Sequence, residues 1–163
     1  MKKVVKFGGS SLASTRQFKK VGEIIRSDKT RRYVIPSAPG KRNDKDEKVT
    51  DMLYACYDAA STGVAYKKLL NRIKERYLEI IDGLDLNLNL DYEFDRIEEN
   101  FVKGIGRDYA ASRGEYLNGI VMATYLGFEF IDAAEVIFFD AQGNFEPETT
   151  HKELSERLAH VER

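Results

Sequence analysis

Apolar positions along the chain follow two spacings. Val4, Val5 and Phe7 form a short run interrupted by Lys6, and Tyr33-Val34-Ile35-Pro36-Ser37 forms another; β-branched and aromatic residues in such runs favour pleated, buried strands. Between them Phe18, Val21, Ile24 and Ile25 recur at helical spacing, which predicts a helix over about residues 14–27. Lys29, Arg31 and Arg32 follow its end, where cations suit the helix dipole. A strand, a helix and a second strand in this order imply a right-handed parallel crossover, and hence an α/β fold.

Further along, Thr50-Asp51 precedes Met52, Leu53, Ala55 and Cys56 and reads as the first turn of another helix. Ala65, Leu69, Ile73 and Tyr77, then Phe94, Ile97, Phe101 and Ile105, predict amphipathic helices over about 64–82 and 91–105. The alternating segment 83–90 between them reads as a connector whose leucines pin the pair, and the pair itself as cover for a sheet or as a dimer surface. Ser112-Arg113-Gly114-Glu115 heads a helix with Leu117, Val121 and Thr124 on one face. That places Glu115 near a helix start, where the dipole alone stabilises a carboxylate. Phe128–Asp132 and Val136–Phe139 predict a third and a fourth strand, with Gln142-Gly143-Asn144 as a turn. Thr149-Thr150 then opens a final helix carrying Leu154, Leu158 and Val161, on whose polar surface His151 and His160 are expected. Four strands against six helices, with no strand after the last helix, lead us to expect part of a larger domain with a sheet edge or face wanting cover.

Composition narrows the function classes. At 163 residues, 42% hydrophobic and 33% charged, the chain can bury one core, and no repeat or linker divides it. Twenty-six basic against 27 acidic residues give a net charge of −1, which removes a whole-chain case for nucleic-acid or membrane attraction. Cys56 is the only cysteine, so neither an internal disulfide nor a Cys-based metal site is expected, and no metal ligands are assigned. With no signal-peptide core and no membrane-length apolar stretch, the expected location is cytoplasmic.

The candidate chemistry lies at the first strand. A lysine within an apolar run needs an anion or incurs a desolvation cost. Gly8 and Gly9 let the backbone turn and approach a ligand closely, and their amides, with those of Ser10 and Ser11, would form an anion-binding concavity. The alternative is a tight strand-to-helix turn whose lysine snorkels to solvent. Neither a Walker loop, with its lysine after the glycines, nor a Rossmann fingerprint, with three spaced glycines, fits this order. The polar loop 38–48 belongs at the carboxyl edge of the second strand, where ligands of open α/β sheets collect, so Lys6, the glycines, Ser37 and Thr50 are expected to converge.

Four segments in order, Lys6-Phe7-Gly8-Gly9-Ser10-Ser11, Ser37-Ala38-Pro39-Gly40-Lys41, Val49-Thr50-Asp51 and Ser112-Arg113-Gly114-Glu115, resemble the N-terminal part of the aspartokinases of the amino-acid kinase superfamily. The resemblance spans essentially the whole chain. It implies the N-terminal lobe of a three-layer α/β/α, carbamate kinase-like fold with a mostly parallel sheet. It further implies phosphoryl transfer from MgATP to the side-chain carboxylate of L-aspartate, giving 4-phospho-L-aspartate for lysine, threonine and methionine synthesis. By the same resemblance Lys6 neutralises the transferred group, and Lys6, Phe7, Gly8, Gly9 and Ser10 bind the ATP phosphates. Ser37 lines the substrate pocket, Thr50 binds aspartate, and Glu115 receives its amino group. Mg²⁺ is carried with the nucleotide, and full-length members form homodimers or larger assemblies. The family's glycine-rich loop with its carboxylate-binding arginine, its nucleotide-base pocket and its ACT regulatory domains lie outside these 163 residues. Asp132-Ala133-Ala134 stands where the family has Asp-Ala-Arg. On this reading the 163 residues alone turn over little substrate. The alternatives are a non-catalytic module holding an amino acid or phosphate, and an amino-acid kinase with another acceptor.

Overall fold

The computed structural model describes residues 2–161. β1 (Lys3–Phe7) and β2 (Arg31–Pro36) pair in parallel, Val5 beside Val34, Lys6 beside Ile35 and Phe7 beside Pro36. The helix α1 (Thr15–Arg26) makes the crossover between them. Alternation along the pair divides its faces. Val5, Phe7 and Val34 pack on the core, whereas Val4 is 66% and Ile35 49% exposed, with exposed Lys6 in register beside Ile35. Helices therefore cover one face of this open sheet.

The core lies among α2 (Val49–Ser61), α3 (Lys67–Gly83), α4 (Asp91–Val102) and α5 (Arg107–Leu126). Their apolar stripes supply edge-to-face pairs, Tyr57 on Phe101 and Tyr77 on Phe94, with ring centroids 5.5 and 6.2 Å apart. Tyr77 is fully buried, and its hydroxyl donates to the Gly114 carbonyl at 2.8 Å, so this phenol is satisfied inside the core. In the connector, Leu84 and Leu90 are buried and Leu86 and Leu88 half-buried, as its alternation predicts. Cys56 packs as a small apolar residue; burial, with the Glu98 carboxylate adding, pushes its thiol up to about 11. Helix α1 is tied to the end of α5 by Arg26, which donates to the Tyr125 carbonyl at 2.8 Å and stacks on its ring. Gly127, at φ 69, supplies the left-handed cap that ends α5.

Three expectations are corrected. The predicted strands at Phe128–Asp132 and Val136–Phe139 do not form; among the described residues the sheet has two strands. Asp132 accepts the Ala134 amide at 3.0 Å and caps a short helix, α6 (Ala133–Val136), which draws Val136 out of extended geometry. Phe139 finds only an isolated antiparallel bridge to Phe145, across the expected Gln142-Gly143-Asn144 turn. A strand needs a partner ladder, and among the described residues neither segment joins the β1–β2 sheet. The final helix, α7 (Pro147–Ala159), starts two residues before Thr149, with proline in its first turn; His151 and His160 are exposed, as expected. Finally, α5 begins at Arg107, so Glu115 is its ninth residue and not a helix-start carboxylate. The 20 residues of α5 do not make a membrane span: among the described residues, no helix is long and apolar enough to cross one.

Candidate active site

Beyond the last paired residues, the two strands continue side by side as loops. The Phe7 carbonyl accepts the Ser37 amide at 3.0 Å, and the Gly9 carbonyl accepts the Gly40 amide at 2.9 Å. This approach is close enough to exclude side chains. A Cβ on Gly9 would lie 2.7 Å from the Ala38 carbonyl oxygen, and one on Gly40 would lie 2.7 Å from the Gly9 carbonyl carbon. The two glycines of the motif thus differ: Gly9 is required by packing, whereas Gly8, extended at φ −75, has open space where a Cβ would stand. A 3-10 turn follows over Gly9–Leu12, in which the Ser11 amide is taken by the Gly8 carbonyl at 3.0 Å. Ser11 is thereby removed from the expected anion nest. Among the described residues, no backbone carbonyl accepts from the Gly9 or Ser10 amides.

The same loop meets the helices. The Val49 amide donates to the Pro39 carbonyl at 3.1 Å, which seats half-buried Thr50 in the first turn of α2 beside the loop. From α5, Glu115 Oε1 accepts the Ala38 amide at 3.4 Å, a long hydrogen bond, and Asn118 Nδ2 donates to the Ser37 carbonyl at 2.6 Å. Gly114 permits this approach, since a Cβ there would stand 2.6 Å from that of Ala38. Tyr77 holds the same turn of α5 through the Gly114 carbonyl.

Behind the loop lies Arg76, 5% exposed on the apolar face of α3. Its guanidinium donates to Asp46 at 2.6 Å, to the Gly40 carbonyl at 3.0 Å and to the Ala13 carbonyl at 3.3 Å. One buried cation thus ties the glycine turn to the 37–48 segment, and its own pKa is lowered, chiefly by burial. Arg42 adds a second guanidinium to Asp46, at 2.8 Å. Hydrogen bonding from Arg42 holds the Asp46 carboxyl well below the usual carboxylate range, with Arg76 adding its charge, against the opposing effect of burial.

The structure therefore brings together the backbones of Gly8, Gly9 and Ser10, the Ser37 and Thr50 segments, and Glu115. Phe7 packs toward the core and contributes its carbonyl to the Ser37 contact. Lys6 is exposed at the carboxyl end of β1 and has no carboxylate within ion-pair reach among the described residues. Asn118 and Arg76 were not expected at this site. Each nevertheless carried a signal, as a polar residue on an otherwise apolar helical stripe: Asn118 beside Leu117 and Val121, and Arg76 among Ile73, Tyr77 and Ile80.

Fold and site define an α/β protein in which the loop after the second strand is bonded both by the glycine turn after the first strand and by a carboxylate carried on a helix. No family model matches the chain. Among curated proteins it is 46% identical over 88 residues to aspartokinase 3 of Bacillus subtilis, a match covering 54% of this chain and 19% of that protein. It is 29% identical over 150 residues to the chloroplastic aspartokinase 1 of Arabidopsis thaliana, covering 84% of this chain and 25% of that protein. Clostridium acetobutylicum aspartate kinase superposes with a TM-score of 0.94 at 48% identity, over 98% of this chain and 37% of that one. Escherichia coli aspartokinase III, in complex with aspartate and ADP, shares the fold with a TM-score of 0.76 at 19% identity, over 97% of this chain and 38% of that one. The chain is a homologue of the aspartokinases, and it spans well under half the length of these relatives.

Two outcomes follow from this geometry. Gly40→Ala sets a Cβ against backbone atoms that have little room to retreat, and should lower stability by about 1–3 kcal/mol in a urea titration. Asp46 has a folded-state pKa below its unfolded value of about 3.9. Its contribution is therefore complete above that pH and is lost as pH falls through the folded value. The thermal midpoint should drop below about pH 4, and Asp46→Asn should lower it at pH 7 while shrinking the acid-dependent part.

Proposed function

We propose that this chain supplies the phosphate- and aspartate-facing part of an aspartate kinase, which transfers the γ-phosphoryl group of MgATP to the side-chain carboxylate of L-aspartate. The observation that carries the reading is the meeting of three elements on one loop: the glycine turn after Lys6, the Thr50 end of α2 and the Glu115 turn of α5 all bond the 37–40 segment. Escherichia coli aspartokinase III, which shares this fold, forms a complex with aspartate and ADP.

The chemistry suits these groups. The aspartate side chain, with a reference pKa of about 3.9, is already ionised at neutral pH and needs no general base. One of its oxygens attacks the γ-phosphorus. A new oxygen–phosphorus bond forms as the bond to the bridging oxygen breaks, and ADP leaves with that electron pair. The difficulty is to bring one anion up to another, and positioning with charge stabilisation is how phosphoryl transfer is catalysed. Lys6 would neutralise the migrating group, while the Gly8, Gly9 and Ser10 backbone would hold the neighbouring phosphates. Mg²⁺, arriving with the nucleotide, screens the phosphate charge. Ser37 and Thr50 would line the aspartate subsite, and Glu115 would take its ammonium.

A coupled assay of ADP release with L-aspartate tests the reading in the full-length gene product. Aspartate-dependent release is expected there, with little or none from the 163 residues alone. Lys6→Met should lower kcat about 10²–10³-fold, the usual effect of removing one preorganised stabilising group. Glu115→Ala should raise the KM for aspartate by about tenfold or more with little change for MgATP. Full velocity in Lys6→Met would defeat the proposal. Titration calorimetry supplies the contrast: aspartate binding indifferent to MgATP would point to a binding module without turnover.

A further inference from the structure

We propose that Asn118 is a positioning residue for the aspartate subsite: together with Glu115 it grips the Ser37–Ala38 peptide from both sides and so sets where the Ser37 hydroxyl and the Glu115 carboxylate stand. The proposal rests on the kinase reading above. Asn118 follows Glu115 by three residues and shares its face of α5. Asn118 Nδ2 holds the Ser37 carbonyl at 2.6 Å while Glu115 Oε1 holds the Ala38 amide at 3.4 Å. These are the two polar ends of one planar peptide unit, so any rotation of that unit breaks both contacts at once. The Ser37 amide is meanwhile tied to the Phe7 carbonyl at 3.0 Å. Ser37 is thereby fixed on one side by the strand that carries Lys6 and on the other by the helix that carries Glu115.

The buried asparagine brings both a cost and a contact. Asn118 is 0% exposed, and its Oδ1 is buried with no hydrogen-bond partner among the described residues. A buried acceptor left unmet is destabilising relative to an apolar residue of the same shape. What the carboxamide adds is a donor to the Ser37 carbonyl, which leucine, its near-isostere, lacks.

The test compares Asn118→Leu and Asn118→Ser with the unsubstituted full-length gene product, by steady-state kinetics and by hydrogen exchange of the peptide spanning residues 36–40. In Asn118→Leu the KM for aspartate should rise about tenfold while that for MgATP stays within about twofold, as expected when one hydrogen bond at one subsite is lost. The 36–40 peptide should exchange faster, with a modest fall in the thermal midpoint because the Ser37 carbonyl loses its donor. Asn118→Ser, which keeps a shorter donor, should recover part of the aspartate affinity. Unchanged aspartate KM, or an equal loss in kcat, both KM values and thermal midpoint in the two variants, would overturn the proposal. Absence of aspartate-dependent turnover in the unsubstituted protein would sink the kinase reading and leave the peptide grip to the exchange measurement. Faster exchange in Asn118→Leu upholds the grip, and unchanged exchange overturns it.

Discussion

The contact between Gly9 and Gly40 is the constraint on which the site depends. Two chain segments that leave a parallel strand pair would ordinarily diverge, because side chains hold successive loops apart. Here the Gly9 carbonyl takes the Gly40 amide at 2.9 Å, and a Cβ on either glycine would penetrate the other segment's backbone. The absence of both side chains lets the strand ladder run on past its last paired residue. The turn after Lys6 and the loop after Ile35 are thereby held as a single surface.

That surface is braced from behind and from the side by groups of opposite character. Arg76 is a cation removed from water and is acceptable there because a carboxylate and three carbonyls meet it. It joins Ala13 on one segment to Gly40 on the other, so the charge and its partners specify the spacing of the two loops. From α5 the brace is uncharged at Asn118 and charged at Glu115, and it acts on one peptide unit. Tyr77, buried in the helical core, fixes the height of α5 through the Gly114 carbonyl. The helices thus align the loop as well as covering the sheet.

Lys6 and Ile35 illustrate the other consequence of this arrangement. Among the described residues helices cover one face of the strand pair, and the opposite face presents Val4, Lys6 and Ile35 to solvent. A lysine that read, in an apolar run, as a buried cation in need of an anion is instead exposed. In the proposed reaction Lys6 would act from its place at the carboxyl end of the strand, beside the glycine turn, and not through desolvation.

Local information settled much of this. The 3.6-residue periods of α1 to α5, the two strand runs, the leucine connector and the Lys6-Phe7-Gly8-Gly9 turn were legible because each is specified by spacing within a few residues. What spacing leaves open is whether an extended run finds a partner. Phe128–Asp132 and Val136–Phe139 have strand composition, but among the described residues neither joins the β1–β2 ladder, and Asp132 caps a helix instead. Nor does spacing show where a helix begins when its first turns carry little apolar signal: α5 starts at Arg107, and Glu115 becomes a mid-helix carboxylate facing a loop 77 residues earlier. The roles of Arg76, Asn118 and Ala38 are of this second kind, because their partners are distant in the chain and become neighbours only when α3 and α5 pack against the glycine loops. The sequence by itself determined which groups are available and which backbone positions must lack a side chain. Only tertiary packing decided which of them face one another, since a hydrogen bond between remote segments has no signature in local periodicity.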